Sequence, residues 1–202
     1  MKRIAVLISG RGTNLQALID AQSLGELAGE IAVVVSNKSK ARGLKRARKA
    51  GIETEIVTKI DFPEREDHDH RVVEILQSNG VDLVVLAGYM RLLSDVFVSA
   101  FENRVINVHP SLLPAFKGLK AQWQAVEYGV RVSGCTTHFV DLKMDTGPII
   151  LQKEVLVNQN DTGETLANRI LPFEHEILVK SVRLFCKDRL RISGRRVIIE
   201  SG

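Results

Sequence analysis

The sequence predicts an α/β fold: an open, mostly parallel twisted sheet with helices on both faces, and antiparallel strands added in the C-terminal part. Strand-like and helix-like segments alternate over roughly the first half of the chain. Several of the strand-like runs are apolar at every position, as expected when helices cover both faces of a sheet. This alternation implies right-handed crossovers between parallel strands.

The N-terminal part is predicted to contain five strands and four helices. The run 2–9 is apolar and β-branched and stops at a glycine, so it is predicted to be a buried strand. Leu15, Leu18 and Ile19 form a helical stripe within 14–21. Gly51 occupies the position expected for a glycine just past the end of a helix. The remaining predictions are strands at 31–35, 53–58, 82–87 and 105–108, and helices at 41–50, 64–78 and 95–101.

The C-terminal part changes character. A helix over 121–128 is followed by two consecutive strands over 132–140 and 148–157. A long helical segment over 162–188 follows, with Thr162 as its N-cap. Pro172 interrupts that segment and predicts a kink or a restart. The tail, 190–199, is predicted to add an edge strand.

Length and composition set limits on function. The chain has 202 residues, with 45% apolar and 26% charged residues, which favours one globular domain. No run approaches the roughly 18 to 20 apolar residues of a membrane span. Two cysteines cannot build a disulfide framework, so we expect a reducing cytoplasm. The net charge of +4 suits small anionic ligands better than nucleic acid, and the basic cluster over 38–49 is interpreted as a solvated helix face.

The first strand ends in Ser-Gly-Arg-Gly-Thr-Asn, residues 9–14. Glycines let the backbone approach a ligand closely, and the following helix offers free N–H groups and a positive dipole end. The glycine spacing is wrong for a P-loop, and Leu15 replaces the third glycine of a dinucleotide fingerprint. A single phosphate site fits this loop, and a tight strand-to-helix turn without a ligand remains the alternative.

The fifth strand ends in Asn107-Val108-His109-Pro110. Because strand side chains alternate between faces, Asn107 and His109 are predicted to point the same way. An amide donor beside an imidazole can stabilise an oxyanion and manage a proton. The alternative is a packed histidine that binds a backbone carbonyl.

The segment 141–148 joins the two later strands and ends in strong turn chemistry, Asp145-Thr146-Gly147-Pro148. Composition does not decide whether Asp141 or Asp145 bonds its own turn or takes part in catalysis. His138, on the preceding strand, is interpreted as a satisfied core or edge histidine.

These motifs occur together and in order. Besides the three segments above, the chain carries Ala-Gly-Tyr-Met-Arg-Leu-Leu at 87–93 and Thr-His-Phe-Val at 137–140. From about residue 2 to 187 the chain resembles the folate-dependent phosphoribosylglycinamide formyltransferases of purine synthesis. The segments around His109 and Asp145 are typical of formyltransferases in general, whereas the glycine loop narrows the resemblance to a ribonucleotide acceptor.

The resemblance implies a Rossmann-like single domain over 1–202, with a phosphate-binding half (1–104) and a catalytic and folate-binding half (105–202). The acceptor's phosphate would bind Gly12, Thr13 and Asn14, and the acceptor would also contact Glu174. Catalysis would rest on Asn107, His109 and Asp145. The co-substrate 10-formyltetrahydrofolate would contact Arg65, Met90, Arg91, Leu92, Leu93, Asn107, Val140, Asp141 and Asp145.

The expected reaction needs no covalent nucleophile, because the acceptor's neutral amine can attack the formyl carbon itself. Asn107 and a protonated His109 would donate to the oxyanion, with Asp145 raising the pKa of His109. The cysteines are therefore expected to be dispensable. We also expect no metal requirement, no nucleic-acid or membrane partner, and a monomer or homodimer.

Two departures from the family pattern stand out: Leu178-Val179 where a Tyr-Pro pair is common, and Lys120 where a histidine is common. The nearest alternative function is a 10-formyltetrahydrofolate hydrolase with water as acceptor. Such proteins usually carry an extra N-terminal domain, whereas here the first strand begins at about residue 2. A methionyl-tRNA formyltransferase, a non-catalytic nucleotide-binding module and a dinucleotide oxidoreductase are the remaining alternatives.

Overall fold

A computed structural model describes residues 1–201. Within that range the chain forms nine strands and six helices. The strands are β1 Lys2–Ile8, β2 Gly29–Ser36, β3 Glu53–Ile56, β4 Leu83–Leu86, β5 Val105–His109, β6 Val132–Phe139, β7 Ile149–Leu156, β8 Leu190–Ser193 and β9 Arg196–Ile199. The helices are α1 Thr13–Ser23, α2 Arg42–Lys49, α3 Arg65–Ser78, α4 Asp95–Ala100, α5 Ala121–Tyr128 and α6 Gly163–Cys186.

All nine strands form one sheet in the order β3-β2-β1-β4-β5-β6-β7-β9-β8. The first five strands run parallel to one another, whereas β6 is antiparallel to both β5 and β7. This confirms the predicted fold class, including the antiparallel strands of the C-terminal part. The chain runs outward from β1 to β3 and then returns to place β4 on the other side of β1. Ligands of open α/β sheets bind at the carboxyl ends of the strands beside such a reversal.

Two apolar layers cover the sheet. On one face, Ile4, Val6 and Ile8 of β1 belong to a cluster that also contains residues of α1, α2 and α6. On the other face, Ala5 and Leu7 belong to a cluster that also contains residues of α3 and α4. The central strands are therefore buried on both faces, as the uninterrupted apolar runs predicted.

The long C-terminal helix differs from the prediction in one respect. Thr162 caps α6 as expected, and its hydroxyl accepts a hydrogen bond from the Thr165 backbone N–H in a reciprocal capping arrangement. The helix continues through Pro172 as one 24-residue element, so of the two alternatives the restart is wrong and the kink stays a prediction. A proline removes one backbone hydrogen bond, and the buried apolar residues on both sides of it hold the helix together.

The tail also differs from the prediction. Residues 190–199 form two strands, β8 and β9, that pair as an antiparallel hairpin. Gly194 lies at the turn with a positive φ of 58°, a conformation that glycine adopts without strain. The hairpin extends the sheet beyond β7. No helix within residues 1–201 has both the length and the apolar character that crossing a membrane requires.

Candidate active site

The glycine loop after β1 leads directly into α1. Gly12 is the N-cap of that helix, with φ 70°, and no side chain in the described part of the chain caps it. The backbone N–H groups of the first turn are therefore free to meet an anion. A Cβ on Gly12 would lie 2.6 Å from the Cα of Gly43, so the loop packs tightly against α2.

One residue of the basic cluster has a role that the sequence did not indicate. Arg46, half-buried on α2, donates from Nε to the Arg11 carbonyl at 3.0 Å and from Nη1 to the Gln16 side chain at 3.0 Å. The Gly43 N–H also donates to the Gly10 carbonyl at 3.1 Å. For Arg46 the interpretation as a solvated helix face is wrong, because its guanidinium holds the glycine loop in place.

The side chain of Asn14 points into the protein and contacts α6. Its Nδ2 donates to Oε2 of Glu174 at 3.0 Å. Its Oδ1 is buried and has no hydrogen-bond partner among the described residues. Burial raises the pKa of Glu174 above its ordinary value, against the opposing effect of the Asn14 hydrogen bond. Two residues predicted to bind the acceptor, 160 positions apart, are thus in direct contact.

His109 ends β5 and is buried. Its Nε2 lies 2.9 Å from the Phe116 carbonyl oxygen, and its Nδ1 lies 3.3 Å from Oδ2 of Asp145. Burial lowers the pKa of His109 below its ordinary value, although the Phe116 carbonyl and the Asp145 carboxylate both act to raise it. Asp145 thus acts on the pKa of His109 in the expected direction, but the desolvation of the cation outweighs this attraction and the net pKa is lowered.

Asp145 reaches the site from a strained backbone with φ 53°. Its Oδ2 also accepts a hydrogen bond from the Gly118 N–H at 2.8 Å. Burial acts to raise the pKa of Asp145, but the nearby His138 side chain, the hydrogen bond from Gly118 and the charge of His109 lower it below its ordinary value. Asp141, by contrast, accepts hydrogen bonds from Lys143 and Thr146 within its own turn. The structure thus distinguishes the two aspartates that composition left equal.

Asn107 is connected to the His109–Asp145 pair through His138. The two residues are cross-strand partners on β5 and β6, and Asn107 Nδ2 lies 3.2 Å from His138 Nε2. The same Nε2 lies 3.7 Å from Oδ1 of Asp145. His138 is buried, as the interpretation as a core histidine predicted, but that interpretation did not include its contacts with Asn107 and Asp145.

Most of the residues predicted to contact folate lie at the start of α3 or just after β4, whereas Val140 lies beside Val105 at the start of β5. Arg65, Arg91 and Leu92 line a cavity of about 280 Å³ together with Lys59 and Pro63. The side chain of Met90 is exposed, Leu93 is half-buried and packs against the apolar cluster under α3, and Val140 packs against that same cluster. The structure brings Asn107, His109 and Asp145 into one cluster, and the Arg65–Arg91 cavity forms a separate pocket.

The two cysteines are free. Burial raises the pKa of Cys135 to about 12 and that of Cys186 to about 11. Thiols with such values are protonated at neutral pH and are poor nucleophiles. Both side chains thus have the character of structural thiols.

Comparisons with known proteins agree with this geometry. The formyl transferase family model matches residues 2–182. Phosphoribosylglycinamide formyltransferase of Haemophilus influenzae is 42% identical over 200 residues, covering 99% of this chain and 94% of that protein. The crystal structure of glycinamide ribonucleotide transformylase 1 from Symbiobacterium toebii superposes with a TM-score of 0.98 at 53% identity, covering 100% of this chain and 95% of that one.

A longer relative is also similar. The trifunctional purine biosynthetic protein adenosine-3 of Drosophila pseudoobscura is 47% identical over 192 residues, which is 94% of this chain. The chain spans only 14% of the length of that protein. Identity to the Haemophilus and Symbiobacterium proteins extends over nearly their whole lengths, and on this evidence the chain belongs to the phosphoribosylglycinamide formyltransferase family.

Proposed function

We propose that this chain transfers the formyl group of 10-formyltetrahydrofolate to the amine of 5-phosphoribosylglycinamide, giving formylglycinamide ribonucleotide and tetrahydrofolate in purine synthesis. The observation that carries the proposal is the His109–Asp145 contact of 3.3 Å at the sheet edge where the uncapped helix α1 also begins. One edge of the sheet thus offers both a proton-transfer pair and an anion site. No metal takes part in this proposal.

The chemistry breaks the bond from the formyl carbon to N10 of the folate and forms an amide bond to the acceptor. The attacking amine loses a proton, and N10 gains one. Negative charge develops on the formyl oxygen in between, and donors placed in advance at such a site contribute a few kcal/mol. Asn107 directs Nδ2 at His138, which leaves its second amide hydrogen for the formyl oxygen.

His109 acts together with Asp145 in this proposal. Both ring nitrogens face oxygen atoms, those of Phe116 and Asp145, so only the doubly protonated ring donates to both. Burial opposes that cation and lowers the pKa of His109. Negative charge on the reacting formyl group offsets this cost, so the ring takes up a proton most readily when the oxyanion forms. Asp145 orients the ring and stabilises its charge.

The binding roles follow the positions of the side chains. The free N–H groups at Gly12, Thr13 and Asn14 hold the acceptor's phosphate, and Glu174 contacts the acceptor beside Asn14. The folate contacts Arg65, the 90–93 segment and the loop from Val140 to Asp145. The halves 1–104 and 105–202 divide this work within one domain. A monomer or homodimer and a cytoplasmic location complete the proposal.

The test is a spectrophotometric assay of 10-formyltetrahydrofolate turnover with and without phosphoribosylglycinamide. We expect turnover to require the acceptor, and a variant such as Cys186→Ala to retain it. Turnover that proceeds equally without the acceptor would identify the hydrolase alternative instead. No turnover under either condition by the folded protein would overturn both.

A further inference from the structure

Two adjacent buried polar side chains, His68 and Asp69 on α3, lie outside the cluster around His109. Both are 0% exposed, which is rare for an aspartate and costs free energy unless its oxygens are satisfied. The catalytic proposal above gives them no role. The reason for burying such a polar pair is therefore to be sought in the segments that its hydrogen bonds connect.

The pair joins three separate segments of the chain. His68 Nε2 lies 2.9 Å from the Val57 carbonyl oxygen, just after β3, and His68 Nδ1 lies 3.2 Å from Asp69 Oδ1. The other oxygen, Asp69 Oδ2, accepts a hydrogen bond from the Ser94 N–H at 2.6 Å. The end of β3, helix α3 and the end of the 88–94 segment therefore meet at these two side chains.

The same three segments line the cavity of about 280 Å³ described above. Lys59 follows Val57 by two residues, Arg65 begins α3, and Arg91 and Leu92 precede Ser94. Arg91 Nη2 also reaches the Glu64 carbonyl at 3.4 Å, next to the start of α3. The three cations at the cavity thus stand on segments whose separation is set by one buried hydrogen-bond network.

The Asp69 charge also acts on the 88–94 segment directly. Burial raises the pKa of Tyr89 well above its ordinary value, and the nearby Asp69 carboxylate adds to that increase. Tyr89 also packs against the apolar cluster under α3. The segment is therefore anchored to α3 both by packing and by a hydrogen bond to its backbone.

We propose that Asp69 and His68 are positioning residues for the folate side of the site: they fix the spacing of Lys59, Arg65 and Arg91 and thereby set affinity for the anionic folate co-substrate without touching it. This inference rests on the proposed function. Asp69 is suited to the role because its two oxygens serve two partners, His68 and Ser94. Asp69→Asn removes the carboxylate charge, so the hydrogen bonds to His68 and to the Ser94 N–H lose their charge assistance and weaken.

The experiment compares the wild-type protein with Asp69→Asn, His68→Gln and Ser181→Ala. The control, Ser181→Ala, removes another buried hydrogen bond, the one between Ser181 and Thr137 at 2.7 Å, on the far side of the sheet from α3. Steady-state assays give kcat and both KM values, calorimetry gives the Kd for tetrahydrofolate, and hydrogen exchange reports protection of the Ser94 amide.

For Asp69→Asn we expect the folate KM and the tetrahydrofolate Kd to rise about tenfold, which corresponds to exchanging charge-assisted buried hydrogen bonds for neutral ones. The acceptor KM and kcat should stay within about threefold of wild type, and the Ser94 amide should exchange faster. His68→Gln should show the same pattern more weakly, and Ser181→Ala should lower stability without changing either KM.

Three outcomes would overturn the inference: an unchanged tetrahydrofolate Kd in folded Asp69→Asn, equal losses in both KM values, or failure of both α3 variants to fold while Ser181→Ala folds. The last would assign the pair to fold stability alone. Because the Kd is measured without turnover, failure of the proposed reaction in the wild-type protein is distinguishable from failure of the positioning role.

Discussion

Replacing Gly12 by alanine tests the tight contact between the glycine loop and α2. Gly12 has φ 70°, and a Cβ there would lie 2.6 Å from Gly43 Cα and 3.4 Å from Gly43 N. Both atoms belong to backbone, so no flexible side chain can move aside. An L-residue in the left-handed region costs about 1–2 kcal/mol, and overpacking a tight contact costs about 1–3 kcal/mol more.

The expected loss for Gly12→Ala is therefore roughly 2–5 kcal/mol in the free energy of unfolding, measured by urea denaturation. At about 2–4 °C per kcal/mol for a protein of this size, Tm falls by about 10 °C. Because the strain is relieved by moving the loop away from α2, the KM for the phosphorylated acceptor should rise while the folate KM stays unchanged.

Gly10 provides the matched control two residues earlier. A Cβ on Gly10 meets nothing within 4 Å, and its φ lies outside the left-handed region. We expect Gly10→Ala to change stability by less than about 0.5 kcal/mol, as for an open surface position. A wild-type urea midpoint for Gly12→Ala, or an equal loss for Gly10→Ala, would refute this reasoning.

Three further predictions concern charged groups of the site. Asp145→Asn should keep the fold and lower kcat by about a hundredfold or more. NMR titration should give a still lower pKa for His109, because Asp145 acts to raise that pKa. An unchanged kcat would contradict a catalytic role for Asp145. Arg46→Met should raise the KM for the phosphorylated acceptor roughly tenfold, because the hydrogen bond to the glycine loop is lost. Lys45 is exposed on the same helix, so Lys45→Met should leave that KM unchanged. Equal effects of the two substitutions would show that Arg46 has no role in acceptor binding. Because burial raises the pKa of Glu174, its contribution to stability is full below the unfolded-state pKa and is lost as pH rises through the folded-state pKa. Glu174→Gln should therefore be more stable than wild type at neutral pH, with the difference disappearing below about pH 4 in thermal unfolding curves.

The central strands β1, β4 and β5 could be predicted from sequence because they are buried on both faces. An uninterrupted apolar run such as β1 leaves little ambiguity, and the glycines and prolines that follow the runs locate their ends. The restart at Pro172 was wrong because the local rule counts one lost hydrogen bond and ignores the packing of a 24-residue helix. Gly194 indicates the turn of the hairpin in the tail, but a prediction from the pattern of apolar residues alone does not take such a glycine into account.

The site was less accessible to sequence reasoning than the fold. Asn107 and His109 could be paired from strand alternation, which is a local property. Predicting the place of His138 requires the register between β5 and β6, which cannot be read from the sequence. That register places His138 opposite Asn107. The net direction of the His109 pKa required its burial, since the attraction of Asp145 alone gives the opposite sign. Arg46 required a contact between α2 and a loop about 35 residues away.

Ser9, at the end of β1, connects the part of the site predicted to bind folate with the part predicted to bind the acceptor's phosphate. Its N–H donates to the Gly88 carbonyl at 3.2 Å, and its hydroxyl accepts from the Met90 N–H at 2.8 Å while donating to Asn37 at 2.7 Å. Ser9 is buried and directly precedes the glycine loop. The segment predicted to contact folate and the loop predicted to hold the phosphate are thus bound to the same residue. Their spacing is fixed by the end of a central strand, and that rigidity is what a reaction between two separately bound substrates requires.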